Sequence, residues 1–587
     1  MSLSALVKEK VSQAYHLCGF SDAQTLVRLS DRPDISDFQS NGALTLAKTL
    51  KQNPRAIAQQ IADILVQDLF FEKISVDGPG FINMTISKQA LTENANAILN
   101  TPTLGYERLD EPKTVVVDYG GPNVAKALHV GHLRPAVIGE AVKRIHIFAG
   151  DKTIGDVHLG DWGLPMGLLI TEIREKQPDL PYFDDSFTGE YPKEPPFTVK
   201  DLETMYPIAS QKSKTDAEYL ATAKENTRLL QNGHRGFRAL WQHFIDTSIA
   251  EIRKLYDPMD IQFDLWRGES HVHDRLQEMI VRLQKEGLIV PDSGAEVIHL
   301  PKSSTGNDLP PLIMVKSDGA VMYGATDLAT IEERVDEFNP DSILYVVDAR
   351  QGLHFEQVFA GAEKIGLTKK AKLQHLGFGT INGKDNKPFK TRDGGVMTLK
   401  MLIEIATNSA LAKMNAGEMG RGLSETEKTE ISSVVGVSAL KFADLMNERM
   451  KNYIFDEDKL TSTEGKTGPY VLYALVRMKS VLEKMGATRE ITDLDKMTIT
   501  ESAERQLLLR LYQMPESLQT AYDNNAPHVI CDYLYKLAQD FNVFYHDCPI
   551  KDAEETVKIT RLALTKYALA MGEKMAWILG LRVPEKM

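Results

Sequence analysis

Thr114-Val115-Val116-Val117-Asp118-Tyr119, then Gly120-Gly121-Pro122-Asn123-Val124-Ala125-Lys126-Ala127-Leu128, then His129-Val130-Gly131-His132-Leu133-Arg134-Pro135, is the stretch on which the fold turns. Its first six residues are β-branched or apolar on both faces, the pattern of a central strand in a parallel sheet. The glycines and proline break that strand, and Leu133, Val137, Ala141, Val142 and Ile145 then recur at helical spacing. Strand, glycine turn and helix open a nucleotide-binding α/β unit, because the free N–H groups at a helix start favour phosphate. His129 and His132 flank Gly131, whose missing side chain lets a flat base approach the backbone. A His-x-Gly-His match alone occurs by chance in long chains; the strand before it gives it weight. Pro135 falls in the first helical turn, where a missing N–H costs little.

Outward from this stretch the chain divides into three expected domains. Residues 1–108 read as a small α/β module: Leu3, Leu6, Val7, Val11 and Tyr15 at helical spacing, helical patterns over 41–51 and 54–65, and a strand over Phe81 to Ile86. Residues 109–404 read as a Rossmann-type parallel-sheet catalytic domain, interrupted by an insertion near 175–260. Within that insertion, 177–198 is rich in proline and acid and reads as an exposed loop, and 220–255 as one long polar helix. Strand-like runs at 296–300, 312–316, 342–347 and 373–377 are expected to continue the same sheet. Residues 405–587 are almost wholly helical in pattern.

With 587 residues the chain has room for three or four domains. Lys+Arg 68 against Asp+Glu 81 gives a net charge of −13, which excludes a surface uniformly basic for wrapping nucleic acid and leaves room for a local basic patch. No apolar run reaches the ~18 residues that a membrane span needs. Cys18, Cys531 and Cys548 are too far apart for a zinc cage and too few to staple a secreted scaffold, so a reduced cytoplasm is expected.

The stretch from Asp118 to Arg134 resembles the class I aminoacyl-tRNA synthetases, whose HIGH motif binds ATP in this context, and among them the arginyl-tRNA synthetases. The resemblance is extended by Gly160-Asp161-Trp162-Gly163, Tyr323 to Asp327, Asp348-Ala349-Arg350-Gln351 with His354, Gly383-Lys384-Asp385 through Lys390-Thr391-Arg392, and Thr467-Gly468-Pro469-Tyr470. Asp37-Phe38-Gln39-Ser40-Asn41 and Gly78-Pro79-Gly80-Phe81-Ile82-Asn83 are similar to that family's amino-terminal domain. Leu579-Gly580-Leu581-Arg582-Val583-Pro584-Glu585 is similar to its carboxyl end. The resemblance implies ATP-dependent activation of arginine, with Mg2+ sharing the pyrophosphate charge, and then transfer to a ribose hydroxyl of tRNA(Arg), the 2′-hydroxyl first. It also implies that bound tRNA precedes activation.

Several site residues follow from the resemblance together with the chemistry of a guanidinium, whose planar donors require carboxylates and other acceptors. Asp118, Asn123, Tyr323, Asp327 and Gln351 are carried over as arginine contacts; which acid takes the guanidinium and which the α-ammonium stays open. Singly, Asp118 is better read as a strand-end cap or turn residue and Tyr323 as a core aromatic. His129, His132 and Gly131 are assigned to ATP. The family's usual KMSKS loop is replaced by 384–395, which carries four basic and two acidic residues, 4 − 2 = +2. Lys387 and Lys390 are its ATP candidates, and Lys126, just before the HIGH position, matches the lysine that substitutes for the missing loop charge. Leu472 stands where the family often has glutamine. Tyr470, Arg477 and Trp577 are tRNA candidates, by stacking on bases and meeting phosphates; Leu534, Leu537, Phe541 and Phe544 are assigned to core. No metal-ligating side-chain cluster is expected, and a monomer is. The alternatives are a class I synthetase for another amino acid and a tRNA-binding paralogue without catalysis; a smaller nucleotidyltransferase would leave the helical third unexplained.

Overall fold

A computed structural model describes residues 2–20, 25–30, 32, 35–302, 306–317, 319–384, 386, 387, 389, 397–417, 419–489 and 497–587. The chain forms two compact units, one of residues 111–410 and 436–460, the other of residues 1–110, 411–435 and 461–587.

The first, the sheet unit, is built on four parallel strands in the spatial order Lys372–His375, Ser342–Val346, Thr114–Tyr119, Lys152–Asp156. The chain leaves Thr114–Tyr119 toward one neighbour and later returns to the other side, so the connections diverge at that strand's carboxyl end. In such sheets the crevice at this point takes the ligand. Tyr345 pairs with Asp118 and Asp118 with Asp156, so the three form one row on one face of the sheet. The helix Leu133–Ala149 lies against the sheet and is buried almost throughout. Its Gly139 is required by packing: a Cβ there would stand 2.3 Å from the Tyr119 side chain. Tyr119 cannot yield, because it is fully buried and its hydroxyl donates to Glu140 (2.6 Å) and to the Gln262 carbonyl (2.7 Å). The helix starts at Leu133 after a short 3-10 turn, Val130–His132, with Pro135 inside its first turn as the pattern allows.

Two of the four expected later strands do not join this sheet. Ala295–Ile298 and Leu312–Val315 form a separate antiparallel sheet with Val290–Asp292. Ser293 and Gly294, at φ +51° and +84°, turn the chain straight back, so pairing is local. Alternation reveals a strand but not its partner. The insertion also differs in detail: 220–255 is two helices, Ala217–Gln231 and Arg235–Tyr256, separated at Gly233 with φ +88°. These and Val199–Thr215 pack with Leu164–Lys176. The segment 177–198 is held down at Tyr182, which is fully buried and stacks on Tyr191 at 5.3 Å.

Residues 436–460 complete the sheet unit. Tyr453–Ile454 pairs with Ile381–Asn382. Buried Arg134 donates to the carbonyls of Gly379 (2.7 Å) and Lys451 (3.1 Å) and pairs with Asp444 (3.2 Å), which also accepts from the Tyr453 hydroxyl (3.0 Å).

The other unit joins the amino-terminal module to the helical end. The module is an antiparallel sheet in the order Val27–Leu29, Phe38–Ser40, Phe81–Ile86, Phe71–Asp77, with helices Leu3–Leu17, Gly42–Leu50, Pro54–Leu65 and Lys88–Leu99. Arg505, on helix Ser502–Tyr512, grips Asp37 with two hydrogen bonds (2.7 and 2.6 Å) and donates to the Ile86 carbonyl (2.9 Å). Leu534, Leu537, Phe541 and Phe544 are fully buried on helix Pro527–Asp547, as assigned.

Candidate active site

The two histidines lock the turn that carries them. His129 Nδ1 accepts from the Gly131 N–H and His132 Nδ1 from the His129 N–H, both at 3.0 Å, and the rings lie 4.0 Å apart. From behind, the Val130 N–H donates to the Met397 carbonyl (2.9 Å) and the Leu399 N–H to that of Leu128 (2.8 Å). Burial, the adjacent His129 ring and the Lys126 ammonium depress His132 to about 4; burial and Lys126 lower His129 as well. Both rings are therefore neutral at physiological pH. Since each Nδ1 accepts, each proton sits on Nε2, which leaves two outward N–H donors suited to phosphate oxygens. Lys126 extends from the same turn, its Nζ 4.5 Å from the centre of the Tyr206 ring. Lys387 is exposed just beyond Ile381–Asn382, while Lys390 lies outside the described residues.

Asp118 is less open than its position in the sequence suggests. Its carboxylate accepts from Arg334 Nη2 at 2.7 Å, and the same nitrogen donates to Asp156 at 2.6 Å. Burial raises the Asp118 carboxyl, and Arg334 and His158 oppose that rise. Arg334 lies 5.5 Å from the Tyr345 ring, so the row across the sheet holds a guanidinium belonging to the protein itself. Asn123 is exposed at the strand's carboxyl end, where Val124 N–H donates to the Gly160 carbonyl (3.0 Å) and a Cβ on Gly160 would strike the Asn123 amide oxygen.

Helix Tyr323–Phe338, which precedes the strand Ser342–Val346 and carries Arg334, also carries two of the expected arginine contacts. Tyr323 is 66% exposed, and Asp327, one turn on, pairs with His354 at 2.6 Å. That carboxylate raises His354. Gln351 is exposed in the turn Ala349–Gln351.

Sequence reasoning missed Glu269. It is half-buried at the start of the turn Glu269–Val272, its N–H bonded to the Leu159 carbonyl at 3.1 Å. Burial, opposed by His158 and reinforced by Asp161 and Asp327, pushes its carboxyl up to about 7. Tyr323 is raised by burial, by Glu269 and by Tyr206. The Asp327 carboxylate thus contributes to raising Glu269, and Glu269 to raising Tyr323. The motif Gly160-Asp161-Trp162-Gly163 supports Glu269: Asp161 accepts from Ser270 N–H (2.9 Å) and hydroxyl (2.6 Å), holding the turn that presents Glu269. No periodicity marks Glu269 in the sequence; only Gly268 before it gives a signal, through its close approach to the Asp161 carboxylate.

In the helical unit, Tyr470 and Arg477 converge on Asn542, which donates to the Tyr470 hydroxyl (3.1 Å) and accepts from Arg477 (2.7 Å). Arg477 also lies over Tyr473 (4.7 Å) and Tyr545 (5.4 Å), both exposed. Trp577 is 40% exposed on the last helix, Glu555–Ile578. Among the described residues no helix is long and apolar enough to cross a membrane.

Three family models match the chain in succession: the arginyl tRNA synthetase N terminal domain over residues 1–86, the catalytic domain of "tRNA synthetases class I (R)" over 94–457, and the DALR anticodon binding domain over 471–587. An arginine–tRNA ligase of Alkaliphilus oremlandii is 45% identical over 588 residues, covering 100% of this chain and 99% of its own. One of Agathobacter rectalis is 44% identical over 594 residues, covering 99% of each. The crystal structure of the Plasmodium falciparum arginyl-tRNA synthetase superposes with a TM-score of 0.83 at 25% identity, covering 100% of this chain and 99% of that one. With a four-stranded parallel sheet, an HVGH turn of two neutral imidazoles and matches to three successive family models along its length, the chain belongs to the arginyl-tRNA synthetase family of class I.

Proposed function

We infer that the protein is an arginine–tRNA ligase that joins L-arginine to AMP at the expense of ATP and passes the arginyl group to the 3′-terminal adenosine of tRNA(Arg). The observation that carries the site assignment is the HVGH turn, where each histidine Nδ1 accepts a backbone N–H and leaves its Nε2–H for phosphate; Glu269, Asp327 and Tyr323 supply the acidic groups for arginine. An arginine seated there meets carboxylates at its guanidinium, while Asn123, Gln351 and the free oxygen of Asp118 remain for its α-ammonium and carboxylate. The carboxylate attacks the α-phosphorus of ATP, and pyrophosphate leaves. No protein nucleophile is needed; the work is positioning and stabilising charge. His129 and His132 donate Nε2–H to phosphate, Gly131 admits the adenine, and Lys126, with Lys387 and Lys390, meets the leaving pyrophosphate. ATP enters as its magnesium complex, the metal carried on its phosphates. Tyr470, Arg477 and Trp577 contact tRNA, and the enzyme works in the cytoplasm as a monomer.

Exchange of labelled pyrophosphate into ATP tests this reading. Exchange is expected with arginine only when tRNA(Arg) is also present; equal exchange with lysine or citrulline sinks the substrate assignment. His132→Ala is expected to lower kcat about 100- to 1,000-fold, the effect of losing one positioned donor to developing charge. Unchanged activity would remove His132 from the phosphate site.

A further inference from the structure

Tyr206 joins the two sides of the site and comes from the insertion, not from the sheet. It lies on helix Val199–Thr215, which buries Leu202, Met205 and Ala209; Ala209 packs with Leu168, Tyr219 and Ala223. The Tyr206 ring, half-buried on the flank of that face, meets Lys126 at 4.5 Å on the phosphate side. On the amino-acid side Tyr206 contributes, after burial and Glu269, to raising the Tyr323 phenol. The next residue is Pro207, inside the helix; it has no N–H, so the turn carrying Tyr206 lacks one of its hydrogen bonds.

We propose that Tyr206 is a positioning residue for arginine activation: its ring face holds the Lys126 ammonium beside the HVGH turn, so that ATP meets a cation already in place. The inference rests on Lys126 as a phosphate-binding cation. A lysine ammonium on a four-carbon stem sweeps a wide volume when untethered. An aromatic face attracts it through the ring quadrupole without taking up its charge, so the ammonium remains available to an incoming polyphosphate, which attracts it far more strongly. An ion pair in the same place would neutralise the lysine instead. The insertion thus has a use beyond spacing two strands.

The test is a series at position 206 crossed with Lys126→Met in the full-length enzyme, read by arginine- and tRNA-dependent pyrophosphate exchange with ATP and arginine varied separately. Tyr206→Phe keeps the ring face and is expected to stay within about twofold of the parent. Tyr206→Leu keeps the bulk and loses the quadrupole; kcat/KM for ATP is expected to fall about 2- to 30-fold, the range of a cation–π contact, with KM for arginine unchanged. In the Lys126→Met background the same Tyr206→Leu change is expected to have no further effect. Leucine performing as well as phenylalanine would overturn the proposal. So would a Tyr206→Leu loss that persists in full without the lysine, because that is the signature of general damage to the insertion. If Lys126→Met alone is as active as the parent, the phosphate role of Lys126 is itself wrong and the proposal falls with it.

Discussion

Glu269 shows what a single residue contributes that its type does not disclose. A carboxyl whose proton is held to about 7 is mostly neutral in mildly acidic solution and mostly ionised above neutrality. Only the ionised form pairs with a guanidinium, so arginine binding should tighten as pH rises through about 7. The bound cation in turn lowers the carboxyl and releases a proton. Because this pKa lies above the ordinary 4.5 of a glutamate, the group opposes folding of the empty protein progressively from pH 4.5 to about 7, and arginine relieves that opposition. The expected result is a larger arginine-induced rise in Tm at pH 8 than at pH 6, measured by thermal scanning in saturating arginine. Glu269→Gln should abolish the difference and weaken arginine at pH 8 by about 30-fold or more. A pH-independent shift in the parent protein would contradict the assignment. Residues were legible in the sequence where they sit in ordered local spacing, as His129, Gly131 and His132 do. Glu269 is brought to the site by the Asp161–Ser270 contact, and the Asp118–Arg334–Asp156 pairing spans 216 and 178 residues, so neither leaves a local trace.

At the scale of elements, the contact between Thr114–Tyr119 and Leu133–Ala149 fixes the HVGH turn, which is the link between them. Gly139→Ala would drive a methyl into Tyr119, and overpacking of this kind costs about 1–3 kcal/mol or more. A lowered Tm by calorimetry is expected, with activity lost in proportion to misfolded protein. Gly352→Ala is the matched control: nothing lies within 4 Å of a Cβ there and its φ of −54° suits alanine, so Tm should hold or rise slightly. Helices and the central strand were readable because each satisfies its own periodicity. The strands Ala295–Ile298 and Leu312–Val315 were read as strands, but their sheet was not, since pairing is decided by the turn at Ser293-Gly294 and not by alternation.

For the molecule as a whole, the charge of −13 is an average over unlike surfaces. On the proposed function, RNA binding rests on a few local cations, with Arg477 proposed among them, and its salt dependence follows their number. Raising salt from 50 to 200 mM should increase KM for tRNA by less than the ~1,000-fold seen with six or more phosphate contacts; a steeper rise measured by aminoacylation would point to a broad basic surface. The chain forms two compact units, and the return of residues 436–460 to the sheet unit leaves no trace in composition or pattern, because it depends on partners far apart along the chain, such as Arg134 and Asp444. That return has a consequence in time. Arg134 and Asp444 are separated by 310 residues, which a ribosome working at about 5–20 residues per second needs roughly 15–60 s to bridge. Throughout that interval the nascent sheet carries a guanidinium destined for burial without its carboxylate, so synthesis order alone delays the last closure of the sheet unit until more than three-quarters of the chain has been made.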